Sequence, residues 1–205
     1  MSLLTLVTLV GAVALPSRVG GEDRWLRSGD IPQSAIKAGV DAEIVFKAVV
    51  NPAGKVELCA VEGSTVAYLN RESFCKRVKQ RLAYRPRPDT HSYFVVEENY
   101  GIVLPASWVR NKNGVPAHFA MEVKKLPGNA AKAAVVSVNV SVDDKGRLLE
   151  CSVPVDESSA VLARLACGQL PAIWTPMSER NAAGQPVAYV REVRVEFREA
   201  GLPAR

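Results

Sequence analysis

Four cysteines constrain this chain more than anything else in it. Cys59 and Cys75 are 16 residues apart, and so are Cys151 and Cys167. Equal spacing twice in 205 residues points to a duplicated unit. The flanks agree: Asn51-Pro52-Ala53-Gly54-Lys55-Val56 precedes Cys59 as Asp143-Asp144-Lys145-Gly146-Arg147-Leu148 precedes Cys151. In both copies a glycine falls five residues before the cysteine.

Upstream of each glycine the sequence alternates. Ala42, Ile44, Phe46, Ala48 and Val50 share one face in the first copy, as do Val136, Val138, Val140 and Val142 in the second. A period of two means strands. Each glycine turn then reads as a hairpin leading into a second strand, Val56 to Val61 or Leu148 to Val153, which carries the first cysteine of its pair. A helix follows. Phe74, Cys75, Val78 and Leu82 mark it in the first copy, and Leu162, Leu165, Ala166 and Gln169 in the second, with Ser158 as its N-cap.

Four cysteines allow three pairings. A helix that covers the hairpin it has just left makes the local pairing, Cys59 with Cys75 and Cys151 with Cys167, the simplest. The alternative is a four-thiolate zinc site, which wants close Cys-x-x-Cys pairs that neither copy has. Closing a loop of about 15 residues contributes on the order of 3 kcal/mol in the chain-entropy model.

Tyr84-Arg85-Pro86 and Trp174-Thr175-Pro176 end the helices, and a last strand completes each unit. It is clear in the second copy, where Tyr189, Val193, Val195 and Phe197 face one way, and is expected to pair antiparallel. In the first copy it is spread over Tyr93 to Val96 and Gly101 to Trp108, with Glu97-Glu98-Asn99 read as a turn or bulge. The expected fold class is α+β. Two tandem small units are expected, each an antiparallel sheet of about three strands with a helix packed on one face.

The first residues set the compartment. Leu3 to Leu15 is apolar except for Thr5 and Thr8, too short to span a bilayer. Ala12-Val13-Ala14 has the small-x-small pattern of a signal cleavage site, with the cut expected after Ala14. The chain is therefore divided into a signal peptide at 1–20, a first domain at 24–110, a linker at 111–116 and a second, divergent domain at 117–200. The expected location is the periplasm, with no transmembrane helix left after signal removal.

Residues Asp30 to about Arg110 resemble the C-terminal domain of the TonB energy-transducer family. The resemblance is carried by Ile31-Pro32-Gln33-Ser34-Ala35, Ile44 to Val50, Gly54-Lys55-Val56 and Lys79-Gln80-Arg81-Leu82-Ala83-Tyr84-Arg85-Pro86. The second copy resembles a divergent, two-cysteine version. Transducers of this family bind a short extended peptide of an outer-membrane receptor by strand addition, a mode that needs an open sheet edge. The resemblance therefore implies a protein or peptide partner in the cell envelope, a TonB-dependent receptor among the candidates. Self-association of edges, for instance in a homodimer with no transport role, is the alternative.

No catalytic set stands out. His91 and His118 are the only histidines, and Glu57, Glu62, Asp143, Asp144 and Glu150 occur singly beside turns. There is no Gly-Xaa-Ser-Xaa-Gly, phosphate loop or metal motif. A non-catalytic protein with no cofactor and no metal is expected, and the four cysteines are its only assigned residues. A net charge of +5 aids encounter with acidic surfaces. Lys76, Arg77, Lys79, Arg81, Arg85 and Arg87 gather part of that charge on the first helix and its exit. Export argues against nucleic acid as their partner.

Overall fold

Alternation and β-branched residues make the strands, and most of them bury one face. In the computed structural model β1 (Ala42–Val50) is followed by β2 (Val56–Ser64), α1 (Arg71–Arg81), β3 (Tyr93–Val103) and β4 (Ser107–Arg110). Then come β5 (Phe119–Val123), β6 (Ala133–Val142), β7 (Leu148–Ser152), α2 (Ala160–Ile173), β8 (Glu179–Arg180), β9 (Pro186–Val187) and β10 (Tyr189–Glu199). The structure describes residues 13–20, 25–30, 33, 37, 42–65, 69–86, 92–103, 107–110, 115–127, 133–155, 157 and 159–200.

The strands form one mixed sheet in the order β2-β1-β3-β10-β6-β7. That order is a palindrome of the repeat, because β1, β2 and β3 correspond to β6, β7 and β10. The two last strands meet at the centre, where Tyr93, Phe94 and Val95 pair in parallel with Tyr189, Val190 and Arg191. Beyond these three pairs β3 and β10 part, and the fork is filled by β4 against β3 and β5 against β10. A separate two-stranded sheet joins β8 and β9.

The helices lie on opposite faces. Phe74 and Val78 of α1 share a core with Ile44, Phe46, Ala48 and Val50, whereas Leu162, Ala163, Ala166 and Leu170 of α2 share one with Val136, Val138, Val140 and Val142. Cross-strand neighbours stand on one face of a sheet. Phe94 and its partner Val190 belong to the α1 core, and Val95 and Tyr189 to the α2 core. Rotation by a half-turn about an axis along the strands produces this arrangement, since it keeps strand direction and exchanges the faces.

These findings overturn the expected architecture. The halves are not two α+β units with separate sheets of about three strands; they share an eight-stranded mixed sheet that has two helices among the described residues. β10 pairs antiparallel with β6, as expected, but parallel with β3 and β5. The physical reason lies in the last strands. Phe94, Val95 and Val96 are all buried, so both faces of β3 are apolar at this point, and merging the two strands removes two edges that would otherwise stand unpaired.

Local expectations also change. Glu97-Glu98-Asn99 is no turn: β3 runs through it, paired to Lys47, Phe46 and Val45 of β1. The cap of α1 is Asn70, whose Oδ1 accepts the backbone N–H of Ser73 at 2.8 Å. Ser158 lies outside the described residues, and α2 starts after Ser159, which makes no side-chain cap bond. Tyr84 closes the first core edge-on to Phe94 at 5.2 Å, and Trp174 meets Phe119 at 5.7 Å.

Residues 1–12 of the segment read as a signal lie outside the described residues, but residues 13–20 form a strap on the fold. Val13 N–H donates to Ser152 Oγ and its carbonyl accepts from Asn139 Nδ2, both at 3.0 Å. Further along, Val19 N–H donates to the Ala83 carbonyl at 2.9 Å, and the Ser17 carbonyl accepts from Arg85 N–H at 2.7 Å. Processing after Ala14 would remove the bonds of Val13 and keep those of Arg18. Among the described residues, no helix is long and apolar enough to cross a membrane.

Candidate functional site

Pairing of β3 with β10 joins the halves and leaves β2 and β7 at the two ends of the strand order, while β4 and β5 each pair with one strand among the described residues. β2 is nine residues long and β7 five. Each end strand is tied to its helix. Cys59 of β2 is bonded to Cys75 of α1 and Cys151 of β7 to Cys167 of α2, with Cα atoms 5.4 and 5.5 Å apart. All four assigned cysteines are therefore placed in equivalent positions, one staple at each end of the sheet.

Losing the first staple has a measurable consequence. A Cys59→Ala, Cys75→Ala double variant is expected to lose about 3 kcal/mol of stability, from the greater freedom of its unfolded chain. Urea unfolding of the oxidised proteins measures this. The variant and the parent should converge once both proteins are fully reduced, since reduction also opens Cys151–Cys167 in each.

Between α1 and the outer edge of β2 lies a groove of about 770 Å³. Its floor is Cys59, Ala60 and Val61, and its wall is the helical face bearing Arg71, Lys76, Lys79 and Gln80. The cations of α1 divide into two sets. Arg77 and Arg81 turn away from this wall to Asp30, at 3.3 and 2.6 Å. Arg71, Lys76 and Lys79 are exposed and make no ion pair among the described residues. At the other end, α2 carries one charged residue, Arg164, and leaves Val161 and Leu165 exposed.

Other ionisable residues brace the region where β3 and β10 part. His91 lies outside the described residues. His118 stands where β3 and β10 part: its Nδ1 accepts the Arg194 backbone N–H, and its Nε2 lies 2.9 Å from Glu97 Oε2 and 2.6 Å from Arg191 Nη2. Arg191, 9% exposed, donates to the other oxygen of Glu97 at 2.6 Å. Burial alone would push Glu97 up, but the hydrogen bond from His118 and the charge of Arg191 outweigh it and hold the carboxyl at about 2. Sequence spacing could not pair Glu97 with Arg191, which is 94 residues away.

A depressed carboxyl contributes stability above its unfolded value near 4.5 and loses it as pH falls toward 2. Glu97→Gln is therefore expected to be less stable than the parent at pH 7, with the difference shrinking between pH 4.5 and 2. Denaturation of both proteins across that range tests it.

Asp143 holds the second hairpin, accepting from the Lys145 and Arg147 backbone N–H groups at 3.0 and 2.8 Å. Glu57 accepts from Asn51 Nδ2 and the Ala182 N–H. Among the described residues no group of three or more His, Cys, Asp and Glu is placed to hold a metal ion.

Compared with protein-family models, curated proteins and solved structures, the chain matches none.

Proposed function

We propose that this protein is a non-catalytic interaction module of the cell envelope that binds an extended segment of a partner protein as an added strand. One observation carries the reading. β2, nine residues long, ends the sheet with no strand beyond it among the described residues, while the corresponding inner edges are closed by β3 and β10. Unpaired N–H and C=O groups along such an edge form a template for an incoming backbone. The disulfide between β2 and α1 holds that template in place. Export is supported by the two disulfides, which persist in oxidising compartments.

Backbone-modified peptides test this without altering the protein. Extended peptides are first selected from a library with the oxidised chain. N-methylation of a selected peptide at alternate residues should abolish binding when it blocks the pairing edge and leave it intact when it blocks the other. Equal tolerance at all positions would exclude strand addition. A segment of a TonB-dependent receptor belongs in the library, on the strength of the resemblance alone.

A second reading is favoured by α2. Its Val161 and Leu165 are exposed, and β7 also ends the strand order, which suits self-association without transport. Sedimentation across a hundredfold range of concentration separates this from binding in the monomer.

A further inference from the structure

The groove beside β2 restricts what an added strand must carry. Among its lining residues are three cations, Arg71, Lys76 and Lys79, against one carboxylate, Glu72. The three cations are exposed and unpaired among the described residues, although Asp30 neutralises two other arginines of the same helix. Resting on the strand-addition reading above, we propose that the β2 edge accepts an acidic extended segment whose carboxylates recur at every second residue.

Spacing supports this. Lys76 and Lys79 lie five and eight residues beyond Arg71, which at the rise of a helix is about 7.5 and 12 Å along α1. Residues i, i+2 and i+4 of an extended strand share a face and are separated by about 6.7 and 13 Å. A strand that follows the groove therefore brings alternate side chains opposite successive cations. The floor adds no competing charge, since it is Cys59, Ala60 and Val61. The opposite edge lacks this wall: α2 offers Arg164 alone, so acid preference belongs to β2 and not to β7.

The test uses the oxidised full chain and three fluorescent peptides with Glu, Gln or Lys at alternate positions of one β-forming sequence. Binding is read by anisotropy, and the site by amide protection along β2. The Glu peptide is expected to bind about tenfold more tightly than the Gln peptide at low salt, with the advantage lost as salt is raised. A Lys76→Gln, Lys79→Gln double variant should erase that advantage and leave the Gln peptide unaffected. Lys76→Glu with Lys79→Glu should favour the Lys peptide. Both positions are exposed, and the thermal midpoint of each variant checks that folding is unchanged. Equal binding of the Glu and Gln peptides, with β2 protected, would overturn the acidic preference and leave strand addition standing. Failure of every peptide to protect β2 would overturn both.

Discussion

Replacing Arg18 by alanine is expected to destabilise the fold by about 3–5 kcal/mol, the usual cost of stranding one member of a buried ion pair. Glu98, its partner, is 1% exposed, and the Arg18 side chain 8%. The surroundings are largely aromatic. The Arg18 guanidinium lies about 6 Å from the ring centres of both Tyr84 and Tyr100 and donates to the Tyr100 hydroxyl. Trp25 Nε1–H donates to the same hydroxyl at 3.0 Å, and Tyr84 donates to Glu98 at 3.3 Å. Without Arg18 the carboxylate loses its ion pair in an enclosure lined by the rings of Tyr84 and Tyr100.

The pair itself need not be strongly favourable, because burying two charges costs about as much as their attraction returns. Arg18→Met with Glu98→Leu should therefore recover most of what Arg18→Ala loses. A cycle of urea denaturations on the single and double variants measures the coupling. A loss under about 0.5 kcal/mol in Arg18→Ala, the size of an ordinary surface change, would show that the strap does not dock.

The second large effect is at Gly54. It has φ of +82°, and a Cβ added there would lie 2.0 Å from the Tyr84 carbonyl oxygen. Nothing can yield easily, since the obstacle is backbone held by the Tyr84 N–H donating to the Gly54 carbonyl at 2.9 Å. Gly54→Ala is expected to cost about 3 kcal/mol or more, combining left-handed backbone with steric overlap. Two other glycines calibrate this. Gly146, the repeat equivalent, would place its Cβ 2.9 Å from the Pro176 oxygen, and Gly184, at φ of +76°, would meet nothing within 4 Å. The alanine variants should rank Gly54, Gly146, Gly184 in decreasing cost, the last near 1–2 kcal/mol. A Gly54 variant no worse than the Gly184 variant would contradict the contact with Tyr84.

Local signals in the sequence reached the hairpins, both helices and the cysteine pairs, because each depends on residues within about 20 positions of one another. Ile44, Phe46, Ala48 and Val50 needed only their own alternation to be placed on a core face. The union of the halves left no comparable trace. Parallel pairing of Tyr93–Val95 with Tyr189–Arg191 joins residues 96 positions apart, and the pattern of either strand is compatible with an edge.

Buried charge misled in the same way. Glu97-Glu98-Asn99 has the composition of a turn, yet Glu98 is satisfied by Arg18 and Glu97 by Arg191, 80 and 94 residues distant. Arg18 stood within the stretch assigned to a signal, so its role in the core had no local sign. The groove was half legible: the basic run was apparent, but its division between Asp30 and the open wall depends on how α1 lies against β2.

Residue-by-residue amide hydrogen exchange of the free, oxidised protein tests most directly the claim of a sheet closed at its centre and open at its ends. The amides of Phe94 and Val95 should exchange among the slowest, through global unfolding, since these residues lie between β1 and β10. Along β2 alternate amides, those pointing away from β1, should exchange rapidly. Fast exchange at both Phe94 and Val95 would mean that the halves are not joined, and slow exchange at every β2 amide would mean that the proposed binding edge is already covered.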